Sequence, residues 1–582
     1  MKRDLPLRAA LAALGVLVAA SAVWRGLAAR GVKAPWVMPD ELIYSSLARS
    51  IASSGHVAIR GVRETGYSVL YPLLEAPAFS SGSAYAAAKW ENAVLMSLAA
   101  VPLFFLARRL LPNVLALLAV VLALLIPSLA YTGELLTENA FYPLFLLALL
   151  AIVRTLENPT VLRQLAGLGA IAAAYLARAE GIVLVAVLFV AALLFALREP
   201  SPRRELRRYL PSMAVLAAAA AAVALVEAAR GSSPAAFLGT YAASVRGYPL
   251  VHVPRWAAAH LADLELYVGF LPFVPAVVIT WTLLTSERVD RSRRAVAAAA
   301  AAAVVCLLVL VALFSAGPGE QASKVATYPK LPPVLHERYL FYVVPLLLVL
   351  FLAWLHRRPR LRLPVFAALL ALAALLPLTL PYARVRTNAD FEALALLPWN
   401  NSLVAPRNVP VVLCVTAAIL LPLLFVRRGS IVMLQVGLVA VVLVFEGIIA
   451  GDEMRKASRQ LPTSRLDAPA WVDAAVPRAA KVAVLWRREP RWRLPATIAH
   501  EHALWRAEFF NSSIDGYWFL GSPMHYGLPE TRARLVRGRL VLPGGQGIRY
   551  LLSASPPPVR AAAIARDPKA GLTLYRLPPL QP

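Results

Sequence analysis

The sequence predicts a mainly α-helical, polytopic membrane protein that ends in a small α/β domain. Of its 582 residues, 59% are hydrophobic, and the mean hydropathy is +0.65. The apolar residues are concentrated in runs near the ~20 residues that a helix needs to cross a bilayer. The last ~130 residues lose such runs altogether. Together these observations predict about thirteen transmembrane helices, followed by a soluble domain.

The lengths of the apolar runs place the predicted spans. They are 9–28, 86–106, 113–131, 139–156, 164–177, 181–197, 209–228, 264–285, 295–316, 338–356, 364–381, 408–426 and 431–450. Translocation of Lys and Arg is disfavoured, and every second short loop is basic, as at Arg108-Arg109 and Arg203-Arg204. We therefore expect a multi-pass protein of the cell membrane with a cytoplasmic N-terminus. The loops 29–85, 229–262 and 317–337 and the tail after 451 are then extracytoplasmic.

Two domains follow from this pattern, a transmembrane domain over 1–450 and an extracytoplasmic domain over 451–582. Short apolar runs in the second domain predict buried strands at Lys481–Trp486, Ile548–Leu552 and Leu572–Tyr575. A helix is predicted over Ile498–Phe510. The tail should therefore form a small α/β module that packs on the outer face of the membrane domain.

The charge and the cysteines exclude some classes of protein. The formal net charge is +27, but much of the excess is spread over short cytoplasmic loops rather than clustered on one soluble face, which argues against a nucleic-acid partner. Anionic lipid headgroups are the more natural partner. Cys306 and Cys414 lie inside apolar runs, and their spacing predicts neither a disulfide framework nor a zinc site.

An acid pair stands out in the first outer loop, where Pro39 precedes Asp40 and Glu41 at the head of an amphipathic stretch that runs to about Ser53. A structural explanation is available, because Asp40 can cap a helix and Glu41 suits a first helical turn. The pair nevertheless lies at a membrane edge, in a loop that is longer than the connection between two spans requires. It is therefore also a candidate for chemistry on a lipid-bound substrate.

The next outer turn carries two more acids, Glu134 and Glu138. Their (i, i+4) spacing predicts that they share one helical face, with Glu138 opening the fourth span. Thr137 could be the N-cap of that helix, but a carboxylate at membrane depth is costly and usually has a partner or a task. Glu138 therefore joins Asp40 and Glu41 as a candidate catalytic residue.

Four cationic residues are predicted at the same membrane face. Lys89 opens the second span, Arg178 lies in a tight turn between two spans, and His336 and Arg338 enter the tenth span from a proline-rich loop. Each could be an interfacial anchor. Arg178 cannot move far from the membrane surface, and the fork of donors on Arg338 suits a phosphate. We expect these four residues to hold the phosphate of a donor.

These features together predict one reaction. Carboxylates can accept a proton, cations can hold a phosphate leaving group, and apolar walls can take a lipid tail. In this reaction, a sugar moves from a polyprenyl phosphate to an acceptor hydroxyl, with inversion of the anomeric centre. The acceptor would be an extracytoplasmic glycan, lipid or protein. Asp40 and Glu138 could also hold a divalent cation such as Mg²⁺, Mn²⁺ or Ca²⁺, although no dense ligand motif demands one.

At these residues the chain resembles the GT-C superfamily of integral-membrane glycosyltransferases, which includes protein O-mannosyltransferases, the lipid A aminoarabinose transferase and arabinosyltransferases. Pro39-Asp40-Glu41 resembles the acidic signature in their first outer loop. Thr137-Glu138-Asn139 resembles the acid after their third span, and Glu337-Arg338-Tyr339 resembles a late Arg-Tyr element. The resemblance implies that Asp40 is the base, that Glu41 is its helper or a metal ligand, and that Arg178, His336 and Arg338 bind the donor phosphate.

The main alternative is a transporter or flippase for lipid-linked saccharides, which would also have many spans and a groove for a lipid tail. Transporters usually carry ionisable residues or broken helices near the middle of the membrane and show inverted halves. Here the acids cluster at one edge, and the predicted spans are odd in number. A scaffold built around the tail domain would leave the acids of the first outer loop unexplained.

Overall fold

A computed structural model gives the architecture of the chain. It describes residues 4–64, 66–80, 84–229, 231, 250–316, 334–357, 359, 362–385, 389–400, 402–426, 429–461, 469–525 and 528–578. The larger parts of the predicted outer loops 229–262 and 317–337 lie outside the described residues.

Twenty-three α-helices form most of the described structure. In the first half of the chain they are α1 Leu7–Ala29, α2 Asp40–Ser54, α3 Leu70–Phe79, α4 Ala84–Leu98, α5 Ala100–Ala107, α6 Asn113–Leu124, α7 Glu138–Glu157, α8 Val161–Ala177, α9 Val183–Ala196, α10 Pro202–Arg207, α11 Leu210–Ala229, α12 Val253–Tyr267 and α13 Phe273–Thr285. They continue with α14 Arg291–Ala316, α15 Val344–Arg357, α16 Leu363–Leu375, α17 Tyr382–Val385, α18 Ala389–Glu392, α19 Leu397–Asn400, α20 Val409–Leu420, α21 Gly429–Gln460, α22 Trp471–Ala475 and α23 Leu494–Phe510.

The helices confirm a protein with many membrane spans. Among the described residues, eight helices are long and apolar enough to cross a membrane. The helix α6 and the 3-10 helix Pro127–Gly133 meet at a bend of 57°, and they make a ninth span if the pair crosses the membrane as one unit. Shorter apolar helices are Val161–Ala177, Phe273–Thr285, Phe341–Arg357 and Val409–Phe425. Every apolar run predicted from the sequence overlaps an apolar helix, although the run 264–285 is divided between the end of α12 and α13. The orientation of the bundle stays a prediction.

The C-terminal segment forms a mixed α/β unit, as predicted. Its strands are β3 Val482–Arg487, β4 Ile514–Leu520, β5 Thr531–Arg532, β6 Arg534–Val536, β7 Arg539–Val541, β8 Tyr550–Ser553, β9 Ala562–Asp567 and β10 Leu572–Arg576; β1 Ala58–Ile59 and β2 Val62–Arg63 form a hairpin in the first outer loop. Six strands make one sheet in the order β5-β4-β3-β8-β10-β9. The β3 strand runs parallel to β4 and β8, whereas β10 is antiparallel to β8 and β9.

One hydrophobic core joins the first outer loop to the C-terminal unit. Leu42 and Leu47 of α2 and Ile59 of β1 belong to the same buried cluster as Trp486 of β3 and Trp505 of α23. The guanidinium of Arg60, at the tip of the β1–β2 hairpin, bonds both carboxylate oxygens of Glu508, at 2.7 and 2.8 Å. The two elements therefore pack as one unit.

The predicted division at residue 450 stays a prediction. The last membrane helix, α21, continues to Gln460, and its Ser458 side chain is hydrogen bonded to Ala34, just after α1. The first and last membrane helices are thereby tied together at the end of the bundle that carries the first outer loop.

Candidate active site

Asp40 is the first residue of α2, as the sequence indicated. Both acids lie in the first turn, where the helix dipole favours negative charge, and Gly55 ends the helix in the left-handed conformation at φ 70°. Leu42, Ile43 and Leu47 bury the apolar face of the helix. The Asp40 side chain is 37% exposed and makes no capping bond, so it is open to a substrate.

Glu41 is buried, and its carboxylate bonds to backbone N–H groups. Its carboxylate accepts hydrogen bonds from the backbone N–H groups of Trp36 and Val37, at 2.8 and 3.0 Å, and from Leu135 N–H, at 3.2 Å. Burial raises the pKa of Glu41 to about 7, although these N–H groups oppose the rise. Glu41 thus ties the start of the outer loop to the second acidic turn, and its predicted catalytic role stays a prediction.

Glu138 opens α7, as predicted, and lies between two arginines. One carboxylate oxygen is 2.8 Å from Arg178 Nη1, and the other accepts a short hydrogen bond from Arg338 Nε. The Thr137 hydroxyl makes no capping bond; it donates to Glu138 and accepts from Arg178. Helix capping therefore does not explain the presence of Thr137 and Glu138. The buried Glu138 carboxylate instead has two cationic partners.

A tight turn between two helices positions Arg178. A Cβ atom at Gly181 would lie 2.6 Å from the backbone nitrogen of Tyr175, so the close approach within this turn requires glycine. The Arg178 guanidinium donates to Glu180 at 2.9 Å and stacks over the Tyr339 ring at 4.5 Å. These contacts fix a buried cation beside Glu138.

Arg338 connects three carboxylates that come from distant parts of the chain. It lies in the 3-10 turn Glu337–Tyr339, directly before the apolar helix Phe341–Arg357. Besides its bond to Glu138, Arg338 Nη2 lies 3.3 Å from Asp40 Oδ2 and Nη1 lies 3.6 Å from Glu392 Oε1. Its guanidinium is buried and stays charged, because these acids hold its pKa well above the ordinary value.

Glu392 is a site residue that the sequence did not reveal. It ends the short helix α18, where the preceding Phe391 packs against Trp36 and Arg338. Its second oxygen lies 3.4 Å from His336 Nδ1, so His336 reaches the cluster through Glu392. The neighbouring His336 and Arg338 hold the pKa of Glu392 below its usual value despite burial.

The placement of Glu134 differs from the prediction. Glu134 does not share a helical face with Glu138, because Glu134 is extended (φ −116°, ψ 150°) and precedes α7. Its carboxylate accepts from Trp36 Nε1 at 3.1 Å. Lys89 is buried and donates to Val32 O at 2.7 Å, below the Tyr85 ring. None of its described contacts is with Arg338 or Glu138, so its donor-binding role stays a prediction.

The predicted divalent cation would be held by Asp40 and Glu138, and both of these acids contact Arg338. No group of three or more His, Cys, Asp or Glu side chains in the described part of the chain could hold a metal ion. Asp40 and Glu138 are bridged by the Arg338 guanidinium. A cation bound between them would displace or repel that guanidinium. The arrangement therefore does not fit a metal held by these two acids, and we derive no step through one.

The geometry defines what the site can do. Asp40 is a partly exposed carboxylate whose pKa is raised by burial and lowered in part by Arg338, as suits a proton acceptor. Arg178 and Arg338 supply fixed positive charge at the same edge of the bundle. Such an arrangement can accept a proton from a hydroxyl and stabilise an anionic leaving group a few ångströms away.

Comparisons with known proteins find one family model and several solved structures that are similar to this chain. A family model described as dolichyl-phosphate-mannose-protein mannosyltransferase matches residues 81–226. The crystal structure of ArnT from Cupriavidus metallidurans in the apo state superposes with a TM-score of 0.55 at 15% identity, over 96% of this chain and 97% of that chain. The same values hold for that ArnT bound to undecaprenyl phosphate. No curated protein sequence matches this chain significantly.

A weaker match is the arabinosyltransferase EmbB from Mycobacterium smegmatis, with a TM-score of 0.42 at 15% identity over 81% of this chain and 44% of that chain. The ArnT match shows a shared fold over nearly the whole length. The predicted resemblance is therefore confirmed as a shared fold, and the family model over residues 81–226 agrees with the predicted class, a membrane glycosyltransferase.

Proposed function

We propose that this protein is an inverting glycosyltransferase that moves a sugar from a polyprenyl-phosphate donor to an extracytoplasmic hydroxyl. One observation carries the proposal: Arg338 contacts Asp40 and Glu138, bringing a partly exposed acid and a fixed cation together at one edge of the bundle. The ArnT structure of the same fold contains undecaprenyl phosphate, which supports a donor of this chemical kind.

In the proposed reaction, the donor phosphate binds at the guanidinium groups of Arg338 and Arg178. The contacts of Arg338 with Asp40 and Glu392 are its longest, at 3.3 and 3.6 Å, so the anionic phosphodiester of the donor would replace them first. Donor binding would thereby release Asp40 from its cation. Glu138 keeps both arginines in place during this exchange because it contacts each of them.

The released Asp40 then accepts the proton of the acceptor hydroxyl. The hydroxyl oxygen forms a bond to the anomeric carbon, and the bond from that carbon to the phosphate oxygen breaks. The electron pair leaves with the phosphate, whose negative charge the arginines stabilise. Attack from the face opposite the leaving group inverts the anomeric configuration, and free polyprenyl phosphate is the second product.

The direct test is turnover by the purified full-length chain. We would incubate it with a panel of polyprenyl-phosphate sugars and an envelope lipid extract, and measure release of polyprenyl phosphate. The anomeric configuration of the product would be determined by NMR. Sugar-dependent release with inversion supports the proposal; no release with any donor, or retention of configuration, contradicts it.

The transporter alternative has one structural observation in its favour. Glu446 is buried within the long helix α21, and it interacts electrostatically with Asp263, whose carboxylate oxygens have no hydrogen-bond partner among the described residues. Buried ionisable groups of this kind often mark transport pathways. Proteoliposomes with labelled lipid-linked sugar separate the two functions, because a flippase moves the intact lipid whereas a transferase breaks its sugar–phosphate bond.

A further inference from the structure

A second group of cations surrounds a cleft that the proposed reaction does not use. The cleft has a volume of about 470 Å³ and is lined by Arg30, Lys33, Arg49 and Lys89; we call it the basic cleft. It lies between the end of α1, the start of α4 and the end of α23. Its size is within the range of small-ligand sites, roughly 300–1,000 Å³.

The charge of the basic cleft is not balanced within its walls. Every charged side chain lining it is basic. Arg30 and Lys33 are exposed, and neither has an ion-pair partner among the residues that the structure describes. Glu41 and Glu134 interact electrostatically with Lys89, but their carboxylates are buried and bond to Trp36 and its neighbours. A phosphate would supply the missing negative charge.

The surroundings of the cleft indicate a lipid rather than a soluble anion. The cleft includes Gly26 of α1, where a Cβ atom would lie 2.2 Å from the Trp90 ring of α4, so the two membrane helices meet closely there. Leu27 of α1 and Val94 of α4 are exposed apolar side chains on the same helices. An anion bound in the basic cleft therefore has an apolar surface beside it that can take lipid tails.

We propose that the basic cleft binds the phosphate headgroup of an anionic membrane lipid, with the lipid tails lying along α1 and α4. Arg30 and Lys33 would meet the headgroup at the mouth of the cleft, and Lys89 would face its inner end. The site is separate from the Arg338 cluster, because none of the four cations contacts Asp40, Glu138 or Arg338 among the described residues. In this proposal the lipid is additional to the donor, and Lys89 serves that lipid rather than the donor phosphate.

The test measures lipid binding without turnover, so its result is independent of the proposed function. Native mass spectrometry of the purified full-length chain would follow titration with dioleoylphosphatidylglycerol, dioleoylphosphatidylcholine or inorganic phosphate. We expect the anionic lipid to bind at least about tenfold more tightly than the zwitterionic lipid. The double variant Arg30→Gln/Lys33→Gln should weaken that binding by about 25-fold, because each surface cation contributes roughly fivefold.

A matched control removes the same charge elsewhere. Arg537→Gln/Arg539→Gln alters two exposed cations on the β6–β7 hairpin and should leave lipid binding unchanged. Equal binding of the two lipids would overturn the proposal. Unchanged lipid binding by the Arg30→Gln/Lys33→Gln variant, at an unchanged thermal midpoint, would overturn it as well. Displacement of the anionic lipid by an equal concentration of inorganic phosphate would also overturn it, since the site would then recognise free phosphate.

Discussion

Arg338 Nη2 lies 3.3 Å from Asp40 Oδ2, joining residues that are 298 positions apart in the chain. The same guanidinium bonds Glu138, so a substrate that draws Arg338 away from Asp40 leaves the arginine anchored. The pair thus links phosphate binding to release of the proton acceptor. This relationship gives the first prediction.

Asp40→Asn should abolish sugar transfer while leaving the protein folded. Asparagine cannot accept the proton, and loss of a general base costs about 10²–10⁴-fold in rate. Release of polyprenyl phosphate and the thermal midpoint would be measured together. The control is Asp515→Asn, which removes an acid paired with Lys481 in a largely exposed position; its turnover should be unchanged. Normal turnover by the Asp40 variant would exclude Asp40 as the base.

Glu138→Ala should strongly destabilise the protein. It leaves Arg178 and Arg338 buried without their shared carboxylate, and breaking a buried ion pair costs about 3–5 kcal/mol. Thermal unfolding in detergent would detect the loss. Glu453→Ala is the matched control because Glu453 pairs with an exposed lysine, a contact worth about 0–1 kcal/mol. Equal midpoints for the two variants would show that Glu138 does not hold the arginines.

Glu392→Gln should tighten the binding of free polyprenyl phosphate. Glu392 lies 3.6 Å from Arg338 and competes with a bound phosphate for that guanidinium. Removing its negative charge should lower the inhibition constant of the lipid phosphate product at least several-fold, because the repulsion between Glu392 and the phosphate is lost. Glu489→Gln, at a distant ion pair with Arg487, serves as the control. Weaker inhibition by the product would instead indicate that Glu392 positions Arg338 for phosphate.

Glu134→Gln should change the pH dependence of stability. Burial raises the pKa of Glu134 from 4.5 to about 8, so the folded state binds this proton more tightly than the unfolded state does. The contribution of the protonated Glu134 to the free energy of unfolding is fully present below pH 4.5 and is lost as the pH rises through about 8. The wild-type thermal midpoint should therefore fall more between pH 6 and pH 9 than that of the variant. Parallel pH profiles would contradict this assignment.

Arg60→Ala should lower both stability and turnover. Arg60 bonds Glu508 through two nitrogens and stacks over the Tyr517 ring at 3.5 Å. Its loss loosens the hydrophobic core that covers α2, whose first residue is Asp40. Arg63→Ala in the same hairpin is exposed and should have little effect. A double-mutant cycle with Glu508→Ala would measure the coupling, and a coupling near zero would show that the two residues act independently.

The sequence predicted the framework of this site well. Run lengths located the membrane helices; Asp40 was predicted in the first outer loop and Glu138, Arg178 and Arg338 next to membrane segments, and the structure brings the four together. Such positions are predictable because apolar periodicity fixes where helices end, and polar side chains at those ends share a membrane edge. The catalytic roles of these residues stay predictions.

Long-range packing decides what the sequence could not reveal. Glu392 lies in a connecting segment without a recognisable motif, and it reaches Arg338 because Glu337 accepts hydrogen bonds from Leu394 and Ala395 N–H, at 2.9 Å each. The (i, i+4) interpretation of Glu134 and Glu138 was wrong because it assumed a helix that starts earlier than α7 does. Both cases depend on contacts between segments far apart in the chain.

The shared core of the first outer loop and the C-terminal unit has a consequence for biosynthesis. Leu42 and Leu47 of α2 are covered by partners such as Trp505, which the ribosome makes more than 400 residues later. Until then, the helix that begins with Asp40 has an incomplete apolar interface. A truncated chain, even one with every membrane helix inserted, would present an unsupported Asp40 helix, so synthesis of the last domain also completes the candidate active site.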